Sequence, residues 1–231
     1  AAVAKAAPPP YLAGTTPDPS PSPAECSPLA SSDSILDRAG LDPERARALV
    51  ADALTGADDG ELYLEYSQSE SLMFDNGRLK AASFDTNQGF GLRAVAGEAA
   101  GYAHSGEISE PAIKRAADAV QAVKAGHKGT YAEAPRGTNA ALYTDESPLG
   151  RPTFAEKVKL LETIDATARQ KDDRVRQVTA SLAGSFEEVE ILRADGTRVR
   201  DKRPLVRLNV SVVVGRGDKQ ETGSYGTGGR E

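Results

Sequence analysis

Asp75-Asn76-Gly77 is the tightest constraint on how this chain can fold. Asn-Gly accepts positive φ at both central positions of a two-residue turn, which the twist of a hairpin requires. Residues 71–74 and 78–84 therefore run antiparallel. Upstream, Glu61 to Gln68 alternates, with Leu62, Leu64 and Tyr66 on one side and Tyr63, Glu65 and Ser67 on the other. That period of two marks a half-buried strand. Two more strands, Phe90–Val95 and Ala99–His104, flank Ala96-Gly97-Glu98. The glycine-dense stretch from Ser69 to Ser105 thus reads as the heart of an antiparallel meander.

Helices flank it. Ser34–Gly40 reads as a short helix closed by Gly40. Asp42-Pro43-Glu44 supplies an N-cap and a first-turn proline. Ala46, Leu49, Val50, Ala53 and Leu54 then form one apolar face. Ser109 caps a further helix with the stripe Ile113, Ala116, Ala117, Val120 and Val123. Residues 126–152 lack periodicity, and so long a loop favours a boundary between subdomains. Beyond it, Thr153 and Glu156 fit a capping box, opening a helix whose buried face is Val158, Leu161, Ile164 and Ala168. Strands follow at Val175–Leu182, Phe186–Arg193, Leu205–Val214 and Lys219–Tyr225. In Leu205–Val214 the even-numbered Val206, Leu208, Val210, Val212 and Val214 point one way, and Arg207, Asn209 and Ser211 the other.

The expectation is an α+β fold: antiparallel sheets, each covered by amphipathic helices, in two successive helix-plus-sheet subdomains. Residues 1–33 form a disordered Ala/Pro/Ser-rich tail, 34–126 the first subdomain, 127–152 a linking loop and 153–231 the second subdomain. The tail carries eight of the fourteen prolines, which remove donors and block helix. With no apolar run of seven it is no convincing signal peptide.

Composition narrows the function. A net charge of -6 and a pI near 5.2 argue against nucleic acid. No apolar run approaches the roughly 20 residues that span a bilayer, so no membrane partner is expected. The one cysteine, Cys26, forbids an intrachain disulfide. His104 and His127 lie too far apart for a local metal pair.

Motifs are few. Gly89-Phe90-Gly91-Leu92-Arg93-Ala94 satisfies a loose dinucleotide fingerprint, but strand follows on both sides where a helix is needed. Close strand packing explains these glycines better. The run Arg193, Arg198, Arg200, Lys202, Arg203, Arg207 is interrupted by Asp195 and Asp201 and reads as a solvated or interface face. Asn209-Val210-Ser211 matches a glycosylation acceptor, discounted inside a strand. No G-x-S-x-G surrounds a serine. Gly223 to Arg230 lacks the Lys-Ser/Thr ending of a phosphate loop; its glycines suit a flexible exit or the close approach of another backbone. Gly226, Gly228, Gly229 and Arg230 are the substrate-binding candidates. No residue is a catalytic candidate.

Several motifs in order then resemble one family. They are Ser69-Glu70-Ser71-Leu72, Asp75–Ser83, Gln88–Glu98, Gly101–Ser105, Val178–Leu182, Asp195-Gly196-Thr197, Arg203–Val212 and Gly226–Arg230. Together, over 34–230, they resemble the TldD/PmbA family of zinc metallopeptidases, and its TldD branch most closely. Ala99-Ala100, Thr227 and Glu231 depart from the family pattern, which has Lys-Thr, Gly and an aromatic there. The resemblance implies the N-terminal region of a cytoplasmic peptidase that cuts peptides or unstructured protein segments beside a second, related subunit. It also implies a zinc in the full-length protein, held by a His-Glu-x-x-x-His helix and a later cysteine beyond the glycine-rich run, with the Glu as general base. No residue here matches those ligands, so the expectation is a truncated chain that binds no zinc and is inactive alone. The alternative is a non-catalytic PmbA-like subunit or a stand-alone peptide-binding module.

Overall fold

The computed structural model describes residues 34–122 and 142–230. The expected tail, residues 127–141 of the expected loop, His127, Val123 and Cys26 lie outside them. The elements in chain order are α1 (Ile35–Arg38), α2 (Pro43–Leu54), β1 (Asp59–Asp75), β2 (Arg78–Ala96), β3 (Ala99–Ser105), α3 (Glu110–Gln121), α4 (Phe154–Lys171), β4 (Val175–Arg193), β5 (Arg198–Arg216) and β6 (Lys219–Gly229). The sequence-level boundaries of the helices hold closely. Asp42 and Ser109 cap α2 and α3, each with proline at the helix start, and Thr153 and Glu156 form the capping box of α4. Asn76 and Gly77 both take positive φ in the turn between β1 and β2.

Two expectations change. The short strands fuse: 61–68 and 71–74 become β1, 78–84 and 90–95 become β2, and 175–182 and 186–193 become β4. Polar stretches such as Gln68-Ser69-Glu70 and Asp85-Thr86-Asn87 look like breaks in sequence. They lie on exposed or half-exposed sheet, where strand needs no apolar side chain. The second change is that two separate sheets give way to one. All six strands form a single antiparallel sheet in the order β3-β2-β1-β4-β5-β6. The reason is that β1 has two good edges. It pairs with β2 on one side and with β4 on the other, from Glu61 opposite Arg193 to Asp75 opposite Thr179.

All four helices cover one face of that sheet. Near one end α1, α2 and α3 pack on Leu62, Leu64, Phe90, Leu92 and Leu192. Near the other, Leu161 of α4 packs on Leu72, Phe74 and Ala180. Leu62, Leu64, Leu72 and Phe74 share one parity on β1, so both cores rest on the same side of one strand. Arg38 binds α1 to the sheet by stacking 4.4 Å above the Tyr66 ring and pairing with Glu188 at 2.6 Å. The opposite face carries no helix among the described residues and mixes charged side chains such as Glu61, Glu65 and Arg203 with Tyr63, Val189 and Ile191.

Candidate functional site

Where α4 begins, the helix-covered face holds a groove of about 740 Å³. Leu72 of β1, Leu182 of β4 and Val206 of β5 form its floor. One wall is the first two turns of α4, with Lys157 and Leu160. The other is the irregular segment 142–152, which crosses the sheet as a strap and contributes Pro148, Arg151 and Pro152.

The strap is held at three points. Tyr143 lies under the guanidinium of Arg230, 5.1 Å from the ring centroid. Asp145 pairs with Lys202 at 3.7 Å. Leu149 sits against Gly184, where an added Cβ would stand 2.8 Å from its Cδ2. The Leu149 carbonyl also accepts a hydrogen bond from Lys157 Nζ at 2.7 Å. Lys157 is only 5% exposed, and its charge is met by Glu70, on the same face of β1 as Leu72. A buried ammonium needs such a partner.

Lys157 and Glu70 were invisible as a pair in sequence, because Lys157 stands where helical spacing calls for an apolar residue. The buried positions Lys157, Leu161 and Asp165 recur every four residues, so the spacing was the available signal. Asp165 is met by Arg169, which also bonds Asn76 Oδ1 in the β1–β2 turn at 2.7 Å. This ties α4 to the hairpin tip.

The four substrate-binding candidates come together at the end of β6 but do different things. Gly229 lines the groove, with nothing within 4 Å of where a Cβ would be. Arg230 stacks on Tyr143. Gly228 and Gly226 face away from the helices, opposite Arg207 and Asn209. A Cβ on Gly228 would lie 2.4 Å from the Val206 carbonyl oxygen, and one on Gly226 would lie 2.6 Å from Asn209 Oδ1.

The remaining sequence candidates resolve into structure. Gly89–Ala94 lies inside β2, and a Cβ on Gly91 would meet the Tyr102 ring. Tyr102 stacks on His104 with centroids 5.7 Å apart. Four of the six residues of the basic run are held in ion pairs: Arg193 with Asp59, Arg198 with Glu190, Lys202 with Asp145, and Arg203 with Glu187 and Asp201. Arg207 donates instead to Asn209 Oδ1 at 3.2 Å. On the uncovered face Tyr63 donates to Glu65 at 2.9 Å, and burial, followed by that carboxylate, pushes its phenol up to about 12. Among the described residues no three His, Cys, Asp or Glu side chains group to hold a metal ion. With an apolar floor and charged side chains on its walls, the groove can receive an extended or apolar segment. No described helix is long and apolar enough to cross a membrane.

Comparison with known proteins accounts for both halves of this sheet. Residues 60–125 match the PmbA/TldA metallopeptidase domain 1, and residues 147–230 the PmbA/TldA metallopeptidase central domain. A metalloprotease TldD homolog of Haemophilus influenzae is 40% identical over 177 residues, covering 75% of this chain and 36% of the relative. A metalloprotease TldD homolog of Buchnera aphidicola is 31% identical over 200 residues, covering 86% and 41%. The chain thus spans about two fifths or less of the length of these relatives. The fold is shared with TldE from Thermococcus kodakarensis, with a TM-score of 0.60 at 16% identity over 81% of this chain and 43% of that one. A Thermotoga maritima protein gives a TM-score of 0.66 at 15% identity over 84% and 43%. With both halves of its single sheet matched and curated relatives at this identity, the chain belongs to the TldD/PmbA metallopeptidase family.

Proposed function

We propose that this chain is the scaffold part of a TldD-like zinc metallopeptidase acting in the cytoplasm on peptides or unstructured protein segments. It frames the path of the substrate and the contact with a second, related subunit. Residues outside it hold the zinc, which would polarise the scissile carbonyl and activate water. Neither nucleic acid nor membrane is a partner in this reading.

The observation that carries the reading is the groove beside an open strand edge. The outer edge of β6 pairs with nothing among the described residues, and its last residue, Gly229, opens onto the groove. An extended peptide can add to such an edge through backbone hydrogen bonds, largely regardless of its side chains. One side chain would then reach the Leu72–Leu182–Val206 floor. Gly229 leaves room for the approach, and Arg230 steadies the strap through Tyr143. Relatives carrying the TldD name support the TldD branch over a PmbA-like subunit.

The test compares full-length protein with this 231-residue chain. Full-length protein is expected to cleave unstructured peptides and to lose that activity with a chelator. The chain alone is expected to cleave nothing, with or without added Zn²⁺. Chelator-sensitive cleavage by the chain alone would show that the chemistry has been placed in the wrong part of the protein.

A further inference from the structure

Strand β2 pairs with β3 only through Phe90–Ala96. From Arg78 to Gln88 every residue is exposed, and the outer edge there pairs with nothing among the described residues. A bare edge of that length is a template for another strand unless something blunts it. Here the edge complements itself.

The key is the bulge. Met73 pairs with Ala81 and Phe74 with Leu79, so Lys80 is the extra residue on β2. The bulge resets the alternation. Leu79, opposite the buried Phe74, and Phe84, opposite Glu70, both lie on the helix-covered face. They remain 37% and 56% exposed. Arg78, opposite Asp75, and Asp85, opposite Ser69, both lie on the other face. Neither forms an ion pair among the described residues.

We propose that this edge is a homotypic interface, in which β2 of two copies of this chain pairs antiparallel about a two-fold axis through Ala82. An axis perpendicular to the sheet keeps each face on its own side. Ala82 then meets Ala82 of the second copy, and Ala81 meets Ser83 of the second copy. Leu79 meets Phe84 and Arg78 meets Asp85, each twice by symmetry. Lys80 bulges out of the new ladder as it does from the old one. Every directly opposed pair lies on one face, so apolar meets apolar and cation meets anion across the strands. Without the bulge, Arg78 and Asp85 would fall on opposite faces and this register would fail. The contact differs from pairing with a related subunit, because the complementarity is between two copies of one sequence.

Cross-linking at the axis tests it. Directly opposed residues of antiparallel strands have Cα atoms about 4.5–5.5 Å apart, within disulfide range. Full-length protein carrying Ala82→Cys, with Cys26→Ser, is expected to form a covalent dimer under mild oxidation, seen on non-reducing gels. Ala51→Cys, on an exposed face of α2, reports random collision and is expected to stay monomeric. Adding Asp85→Arg places like charges opposite one another and should cut the dimer yield about tenfold. Adding Arg78→Asp to that variant should restore it, which also shows that the fold survived. The proposal is overturned if Ala82→Cys cross-links no better than Ala51→Cys, if Asp85→Arg leaves the yield unchanged, or if the cross-link forms only to a related subunit.

Discussion

Gly228 and Gly229 are neighbours with opposite reasons to lack a side chain. At Gly228 a Cβ would press on the rigid Val206 carbonyl, so Gly228→Ala is expected to cost about 1–3 kcal/mol in urea denaturation. At Gly229 there is open space, so Gly229→Leu should leave stability within about 0.5 kcal/mol while raising KM for peptides in the full-length protein. A sequence shows four glycines within seven residues and cannot rank them, because the distinction rests on which atoms lie across the strand. Gly226 falls between, since Asn209 can swing aside. Lys157 makes the same point for charge. Removing it as Lys157→Met strands the Glu70 carboxylate against the groove and should cost about 3 kcal/mol in the same measurement. Lys157→Met with Glu70→Leu is expected to recover most of that loss, because no lone charge then stays buried.

Helices were the most legible elements, since their ends are marked by residues acting within one turn. Asp42-Pro43, Ser109 and the Thr153–Glu156 box each gave a helix start that the fold keeps. Strand ends were less legible, because a strand on open sheet keeps its hydrogen bonds while its side chains turn polar. Ser69 and Thr86 are ordinary members of long strands for that reason. Contacts between helices were not legible. Arg45 of α2 and Lys114 of α3 both bond Glu110 at the start of α3, at 2.6 and 2.7 Å, and these bonds hold its carboxyl down at about 2 against an ordinary 4.5. A carboxylate with a lowered folded pKa stabilises above its unfolded value and loses that contribution as pH falls through the folded one. The melting-temperature difference between the parent and Glu110→Gln should therefore be largest above pH 4.5 and vanish as the pH falls towards 2. Because the groups are exposed, added salt should shrink it.

At the scale of the molecule the fold class was readable and the single sheet was not. Local periodicity reports that a strand exists, and turns report its neighbour in sequence, but nothing local reports that β1 takes β4 on its second edge. The uncovered face was hidden for the same reason: both cores draw on Leu62, Leu64, Leu72 and Phe74 of one strand, which is visible only once β1 is known to be continuous. A strand shared by both halves couples their stability. Full-length protein should lose the Leu64 and Leu161 regions in one step, with hydrogen exchange at the ladder-bonded amides of β1, β4 and the Phe90–Ala96 part of β2 protected to the same degree. Two separate transitions would show that the halves stand independently.

The shared strand also sets the order in which the molecule can be made. Thr179 bonds Asp75 across 104 residues, and Arg193 pairs with Asp59 across 134. A growing chain can close the β1–β2 turn at once, but it must hold the other edge of β1 open until β4 has emerged. Loop closure over such a span is slow, so through much of synthesis the protein carries an unpaired strand at its centre. Glu61, Glu65 and Glu70 place charge along that open strand, which disfavours pairing with another chain in β4's place.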